Sequence, residues 1–308
     1  MKKGNASSQT RNRGKSKKVG AIQRNFSGWM LLLPSLFLFV FLVWRPIIVG
    51  IIYSFFDLKG FTPTEFVGFK NYIDVITDTN FIQTLWNTVQ YVLWSLIIGY
   101  IVPFACAFAI NEVVHFKRFF KISVYLPVII PSIAMALIWR MVYMENAGGL
   151  LNMVLQVFGA EPRTWLSNKS LVIPLLVTAM TWKNFGGTMI VYLSSMQSVD
   201  QTLYEAARLD GAGIIARIVH IFLPHMKGIM LLMLINQIIA VFNIMEQPMT
   251  MTGGGPNGAS MSLALTNYNY AFKYNQFDKS LALGVITFLL LFVLAFVYFY
   301  ADRKVNED

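Results

Sequence analysis

The stretch 280–301, SLALGVITFLLLFVLAFVYFYA, carries no charged residue. About 20 consecutive, mostly apolar residues are enough for a helix to cross the hydrocarbon core of a bilayer, so this stretch predicts a membrane-spanning helix. Five further long, mostly apolar runs occur upstream. We therefore expect an all-α membrane protein with one six-helix polytopic domain over residues 29–301. The six predicted spans cover residues 29–55, 85–110, 122–144, 171–198, 221–245 and 280–301.

The composition supports a membrane protein. Of the 308 residues, 56% are hydrophobic and 13% are charged, whereas soluble domains average about 45–50% apolar and about 25% charged residues. A soluble fold of this length could not cover so much apolar surface. The composition therefore excludes a water-soluble enzyme, a nucleic-acid-binding domain and a disordered chain.

The formal net charge of +10 is concentrated at the N-terminus. Residues 1–28 contain eight Lys or Arg and no acid, which predicts a disordered basic tail near an anionic membrane surface. With this tail in the cytoplasm, sixteen Lys and Arg residues fall on inside segments and six on outside segments, as the positive-inside rule requires. We expect both termini, including residues 302–308, to be cytoplasmic.

The basic tail and the first apolar run together resemble a secretory signal. However, residues 29–55 are longer than the apolar region of a signal peptide, and no small-residue cleavage site follows them. We expect this run to be retained as the first span.

Two of the predicted spans carry clusters of polar side chains. A pathway for a hydroxyl-rich solute needs amide and aromatic groups, but hydrogen bonding between membrane helices uses the same groups. Spacing alone leaves both interpretations open. The candidate pathway residues are Trp182, Lys183 and Asn184 on the fourth span and Asn236, Gln237 and Asn243 on the fifth.

The cytoplasmic loop 199–224 contains a short predicted helix. Asp200 can cap its start, Thr202 and Glu205 have capping-box spacing, and Gly211 or Gly213 can end it. Its Ala-rich face could dock into a groove on a partner protein. The periodicity also fits an ordinary amphipathic connector, and it does not decide between the two.

This loop resembles the EAA loop of permease subunits of binding-protein-dependent ABC importers. That pattern has Glu-Ala-Ala, a Gly six residues after the Glu and a later Ile-x-Leu-Pro. The resemblance extends over nearly the whole chain after the tail, and the glycine-rich stretch before the last span is similar to the maltose F-type sugar permeases. The residues that match the loop pattern are Glu205, Ala206, Ala207, Asp210, Gly211, Ile221, Leu223 and Pro224.

The chain departs from the family pattern at four places. Gly228 and Asp200 stand where prolines are common, Ser194 and Ser195 stand where Ala-Gly is usual, and Arg45 replaces an uncharged residue. None of these positions belongs to the core of the loop pattern, so these departures do not change the prediction that the loop docks on a partner protein.

The resemblance implies a type I ABC importer permease fold in a bacterial or archaeal cytoplasmic membrane. It also implies a sugar or oligosaccharide substrate, a second and non-identical permease, two ATP-binding subunits and an extracytoplasmic sugar-binding protein. Membrane lipid is the surrounding solvent, and no nucleic acid is involved. The implied ATPase-coupling residues are Glu205, Ala206, Ala207, Asp210, Gly211 and Pro224, and the implied binding-protein-facing residues are Gly253, Gly254, Gly255 and Pro256.

No catalytic role is expected for this chain. It has no phosphate-binding G-x-x-x-x-G-K-[ST] motif, and its three histidines have no metal-ligand spacing, so we expect neither a cofactor nor a metal. The alternative function is a secondary transporter. That class uses intramembrane carboxylates for ion coupling, and no Asp or Glu falls in the middle of the six predicted spans.

Overall fold

The fold is a bundle of helices with one small hairpin, seen in a computed structural model that describes residues 28–112 and 115–307. The predicted basic tail therefore lies outside the described residues, apart from Gly28. The helices are α1 Gly28–Tyr53, α2 Lys70–Ile76, α3 Phe81–Glu112, α4 Lys117–Ile129, α5 Ser132–Val142, α6 Leu150–Val157, α7 Val172–Met196, α8 Gln201–Leu209, α9 Ile214–Phe242, α10 Leu263–Tyr268 and α11 Phe277–Glu307.

Four of these helices are long and apolar enough to cross a membrane, and a bent pair could form a fifth crossing. The four are α1, α3, α9 and α11, which coincide with the first, second, fifth and sixth predicted spans. Their runs are unbroken because a helix that faces hydrocarbon must satisfy its own backbone hydrogen bonds and present apolar side chains. By length and composition alone, the described helices therefore give four or five crossings, and not the six that the sequence predicts.

The third predicted span, residues 122–144, is two helices rather than one. Helices α4 and α5 meet at an angle of 100°, with the break at Ile130 and Pro131, both in extended conformation. Proline has no N–H to donate and pushes the preceding residue out of helical geometry, which explains the break.

The fourth predicted span corresponds to α7, the 25-residue helix at the centre of the bundle. Lys183, Asn184 and the neighbouring glycines lower its hydropathy, and it is not among the four long apolar helices. It packs against α3, α4, α5 and α9. A Cβ at Gly186 would lie 2.5 Å from the carbonyl oxygen of Val124, so this glycine is required where α4 crosses α7.

A two-stranded antiparallel hairpin follows α1, which the all-α expectation missed. Strands β1 Phe56–Lys59 and β2 Thr62–Phe66 pair with each other. The buried Asn71 amide on α2 donates to the carbonyl oxygens of Ser54 and Phe56, at 3.0 and 2.9 Å. The end of α1, the hairpin and α2 are thereby joined into one outer layer.

Two clusters of buried residues pack against α7, one along its first half and the other along its second half. One contains Tyr91, Met135 and Val177, and the other contains Met189, Tyr192 and Phe222. By contrast, no residue in the apolar window of α1 is buried within the chain. That surface is suited to hydrocarbon or to another membrane subunit.

Candidate functional site

A cavity of about 310 Å³, lined by both apolar and polar side chains, lies between α3, α7 and α9. Each of the three helices contributes one face, and residues at i, i+3, i+4 and i+7 line the cavity on both α7 and α9. The lining residues are Gly99, Tyr100, Met180, Thr181, Asn184, Phe185, Thr188, Met233, Asn236, Gln237 and Ala240.

A π-helical turn, Leu96–Tyr100, shapes the α3 wall of this cavity. Such turns are often found at functional sites because they re-aim the backbone. A Cβ at Gly99 would lie 2.5 Å from Nε2 of Gln237 and 3.2 Å from Oγ1 of Thr181. Gly99 therefore makes room for both polar side chains.

The cavity presents hydrogen-bonding groups and no formal charge. Thr181 is only 6% exposed, yet its hydroxyl has no partner among the described residues. Asn236 donates from Nδ2 to the carbonyl oxygen of Leu232 at 2.9 Å, which leaves its own oxygen available. None of the described residues that line the cavity is a Lys, Arg, Asp or Glu. The site is therefore suited to a neutral, hydroxyl-rich solute.

The structure brings three of the six candidate pathway residues into this cavity: Asn184, Asn236 and Gln237. Trp182 packs edge-to-face against Trp139, with ring centroids 5.8 Å apart, on another face of α7.

The remaining two candidates are also absent from the lining. Lys183 is half-buried on α7. Asn243 caps the end of α9 and donates to the carbonyl oxygen of Ile239 at 2.8 Å. It lies about 10 Å further along the helix axis than Asn236, beyond Ala240, the last residue of α9 that lines the cavity.

Sequence reasoning missed the hydroxyl groups of the cavity. Thr181 and Thr188 stand three residues before and four residues after Asn184, so helical spacing from Asn184 could have found them. Gly99 and Tyr100 come from a different span, and no pattern within the sequence connects them to α7.

The loop predicted to be cytoplasmic forms helix α8, and its start agrees with the capping residues. The Asp200 carboxylate accepts hydrogen bonds from the Thr202 hydroxyl at 2.8 Å and from the Thr202 N–H at 2.9 Å. These hydrogen bonds lower the pKa of Asp200, and the bond from the Thr202 hydroxyl has the larger effect. Asp200 thus stays ionised at neutral pH and stabilises the helix start.

Helix α8 presents an exposed surface. Glu205, Ala206 and Asp210 are exposed, Ala207 is half-buried, and Leu209 is 88% exposed. Leu203 is exposed as well, so α8 combines apolar and small side chains of the kind that a groove on another protein can receive.

Gly211, rather than Gly213, ends α8. Its φ of +78° is the left-handed conformation that glycine adopts without strain. Its N–H bonds to the Arg208 carbonyl oxygen at 3.1 Å, and the Ala212 N–H bonds to the Ala207 carbonyl oxygen at 2.9 Å. This pair of bonds is a Schellman motif, which turns the chain away from the helix.

Pro224 lies in the first half of α9, two residues after the end of the π-helical turn Ile218–Phe222. Because proline lacks an N–H, it cannot donate to the preceding turn of the helix. The wider turn before it accommodates this missing bond.

The glycine-rich stretch is fixed to the bundle rather than projecting freely. Asn87 on α3 donates to the carbonyl oxygens of Gly258 and Met261, at 2.7 and 3.0 Å. A Cβ at Gly254 would lie 2.6 Å from the sulfur of Met261. Among the four predicted binding-protein-facing residues, Gly253 is exposed, Gly255 and Pro256 are half-buried, and Gly254 is buried.

Metal ligation has no candidate in the described part of the chain. Across residues 28–112 and 115–307, no group of three His, Cys, Asp or Glu side chains is arranged to hold an ion.

Comparison with protein families identifies one model that matches more than half of the chain. Residues 99–307 match the family described as "Binding-protein-dependent transport system inner membrane component".

Curated relatives match over nearly the whole length. The probable ABC transporter permease protein YurN of Bacillus subtilis is 30% identical over 278 residues, which cover 89% of this chain and 94% of the relative. The trehalose/maltose transport system permease protein MalF of Thermococcus litoralis is 29% identical, with 90% of this chain and 93% of the relative covered. The arabinooligosaccharides transport system permease protein AraP of B. subtilis is 29% identical, with 86% and 84% covered.

A solved structure shares the fold. One chain of a bacterial alginate ABC transporter, determined in complex with its alginate pentasaccharide-bound periplasmic protein, matches with a TM-score of 0.81 at 22% identity. The match covers 93% of this chain and 97% of that chain.

Proposed function

We propose that this chain, which belongs to the family of binding-protein-dependent transport system inner membrane components, forms part of the membrane pathway for a neutral sugar or oligosaccharide. An external binding protein delivers the solute, and separate ATPase subunits supply the energy. The chain itself is a multi-pass, non-catalytic permease subunit that acts with a second permease.

The observation that carries this proposal is the chemistry of the cavity between α3, α7 and α9. Its amide and hydroxyl groups match the hydroxyls of a sugar, and the rings of Tyr100 and Phe185 offer faces against which a sugar ring can pack. Its volume of about 310 Å³ is at the lower end of the range for small-molecule sites. One or two sugar units fit such a space at a time.

The relatives agree on carbohydrate but differ in charge: one is named for polygalacturonan and rhamnogalacturonan, which contain uronates, and the solved structure is of an alginate transporter. Two others are named for neutral sugars. The names of MalF and AraP specify trehalose or maltose and arabinooligosaccharides, which are neutral sugars. The uncharged lining favours solutes of this kind over uronates, because an uncompensated carboxylate is costly in a site without a counter-charge.

Helix α8 supports dependence on a partner ATPase. Its capped start, exposed Leu209 and Schellman end form a rigid, exposed element that a groove on a cytoplasmic subunit can receive. In this proposal, Glu205 makes a charged contact there, the small Ala206 and Ala207 allow close approach, and Gly211 directs the chain back to the bundle. The stretch Gly253–Pro256 faces the binding protein on the other side.

Six crossings are part of the proposal. Helix α7 has 25 residues and would extend about 37 Å at 1.5 Å per residue, longer than a hydrocarbon core of about 30 Å. It is surrounded by other helices, so it does not need an apolar surface all round. Counting α4 and α5 as one bent crossing then gives six, with both termini in the cytoplasm.

An experiment on two asparagines tests the cavity. Asn236 and Asn243 both lie on α9 or at its end, both are exposed, and both donate to the carbonyl four residues earlier, but only Asn236 lines the cavity. Asn236→Ala and Asn243→Ala are therefore a matched pair. In proteoliposomes with the ATPases, the second permease and the binding protein, we expect Asn236→Ala to lower uptake of maltose, trehalose or an arabino-oligosaccharide severalfold.

Asn243→Ala should leave uptake per assembled complex unchanged. Equal losses in the two variants would contradict the assignment of the cavity as the solute site. No uptake of any of these sugars by the wild-type complex would contradict the proposed substrate class.

A further inference from the structure

An ion pair between a buried arginine and a half-buried glutamate joins the cytoplasmic ends of α3 and α9. The Arg217 guanidinium donates to Oε2 of Glu112 at 2.9 Å, and the Arg217 side chain is only 9% exposed. Glu112 is the last residue of α3, and Arg217 lies in the first turn of α9. The pair therefore ties together two helices that are far apart in sequence.

Arg217 also contacts helix α8. The same guanidinium nitrogen donates to the Tyr204 hydroxyl, and the guanidinium carbon lies 5.2 Å from the centroid of the Tyr204 ring. Tyr204 in turn packs against Phe222, with ring centroids 5.5 Å apart. A displacement of α8 consequently acts directly on the ion pair.

The two helices that the pair joins also line the cavity. Glu112 lies about 20 Å along α3 from Gly99, and Arg217 lies about 30 Å along α9 from Gln237, at 1.5 Å per residue. Gly99 and Gln237 approach each other closely within the cavity. A change in the angle between α3 and α9 at the cytoplasmic end must therefore change the width of the cavity.

The ion pair is incomplete in the present arrangement. Oε1 of Glu112 and Nε of Arg217 are both buried and have no hydrogen-bond partner among the described residues. A carboxylate and a guanidinium form their strongest contact with two parallel hydrogen bonds, and buried unpaired polar atoms are costly. A second geometry, with two parallel hydrogen bonds, would require a shift of α3 relative to α9 that brings Oε1 of Glu112 to another guanidinium N–H.

We propose that Arg217 is a positioning residue that passes movement of α8 to the cavity by holding α3 and α9 together through Glu112. One geometry, with a single hydrogen bond, accompanies the present cavity. The other accompanies a changed angle between the two helices. This inference rests on the proposed transport function, because it needs a cytoplasmic subunit that moves α8.

The test uses the complete reconstituted transporter and measures two quantities per assembled complex. These are uptake of whichever of maltose, trehalose or an arabino-oligosaccharide the wild type transports, and ATP hydrolysis with and without the sugar-loaded binding protein. We expect Arg217→Gln and Glu112→Gln each to lower sugar transported per ATP hydrolysed at least fivefold, with ATP hydrolysis no longer dependent on the binding protein. The double variant should resemble either single variant, because both changes break one contact.

Arg118→Gln provides the matched control. Arg118 is exposed near the start of α4, and we expect the ratio of sugar to ATP to stay within twofold of the wild type. Tyr204→Phe removes only one hydroxyl and should give an intermediate loss even if the charge variants fail to assemble.

An unchanged ratio in Arg217→Gln, or in Tyr204→Phe if the charge variants do not assemble, would overturn the inference. Lower abundance with a normal ratio per complex would also overturn it, since the pair would then only support the fold. If the wild type itself transports no sugar, the proposed function fails rather than the role of Arg217.

Discussion

Replacing Gly99 by alanine should lower transport without destabilising the protein. The added Cβ would lie 2.5 Å from Nε2 of Gln237 and 3.2 Å from Oγ1 of Thr181. Because apolar contacts are most favourable at about 3.5–4.0 Å, the Gln237 amide must withdraw by about 1 Å. The amide is the end of a flexible side chain, so it can move, but it then no longer points to the same place in the cavity.

The size of the effect follows from the loss of one hydrogen bond to the solute. Such a bond contributes about 0.5–1.5 kcal/mol, so the apparent affinity for sugar should fall about two- to twelvefold. Alanine in a helix is more favourable than glycine by about 0.5–1 kcal/mol. Stability should therefore stay the same or rise while transport falls.

The assay compares Gly99→Ala with Gly187→Ala in the reconstituted complex. Gly187 is also helical, but a Cβ there meets nothing within 4 Å, so it reports the helical effect without the steric one. Initial uptake rates against sugar concentration give the apparent affinity, and thermal unfolding gives the stability. Normal affinity in Gly99→Ala would refute this account of the cavity, as would an equal loss in both variants.

Two further glycine substitutions test other parts of the structure. Gly186→Ala places a Cβ 2.5 Å from the Val124 carbonyl oxygen and 2.9 Å from the Tyr125 Cα. Because these backbone atoms cannot move aside easily, the substitution should destabilise the protein by about 1–3 kcal/mol, measured as a lower unfolding temperature than that of Gly187→Ala. Gly211→Val places a β-branched residue at a φ of +78°, which costs about 1–2 kcal/mol and disturbs the end of α8. Sugar uptake should therefore be lost while the subunit stays in the membrane. Normal uptake by this variant would mean that α8 is an ordinary connector.

The sequence predicts well those features that depend on local chemistry. Helices α1, α3, α9 and α11 follow from unbroken apolar runs, because lipid-facing helices need them. The start of α8 at Asp200 and its end at Gly211 follow from capping rules that involve only near neighbours.

Other features depend on contacts between distant segments, which no local pattern encodes. The break at Pro131 could have been predicted from the proline itself, but its angle of 100° depends on packing. The cavity needs Gly99 on α3 beside Gln237 on α9, and this pairing exists only in the folded bundle. From the sequence, Arg217 is only one of the positive charges on the predicted inside segments. Its burial against Glu112 depends on the fold.

The most direct test of the central claim is the energy source of transport. Proteoliposomes that contain this chain with the second permease, the ATPases and the sugar-loaded binding protein should take up sugar only when ATP is hydrolysed. Uptake should be unaffected by ionophores that collapse proton and sodium gradients. Uptake that persists without the ATPase subunits and stops when an ion gradient is collapsed would show a secondary transporter instead, and would contradict the account.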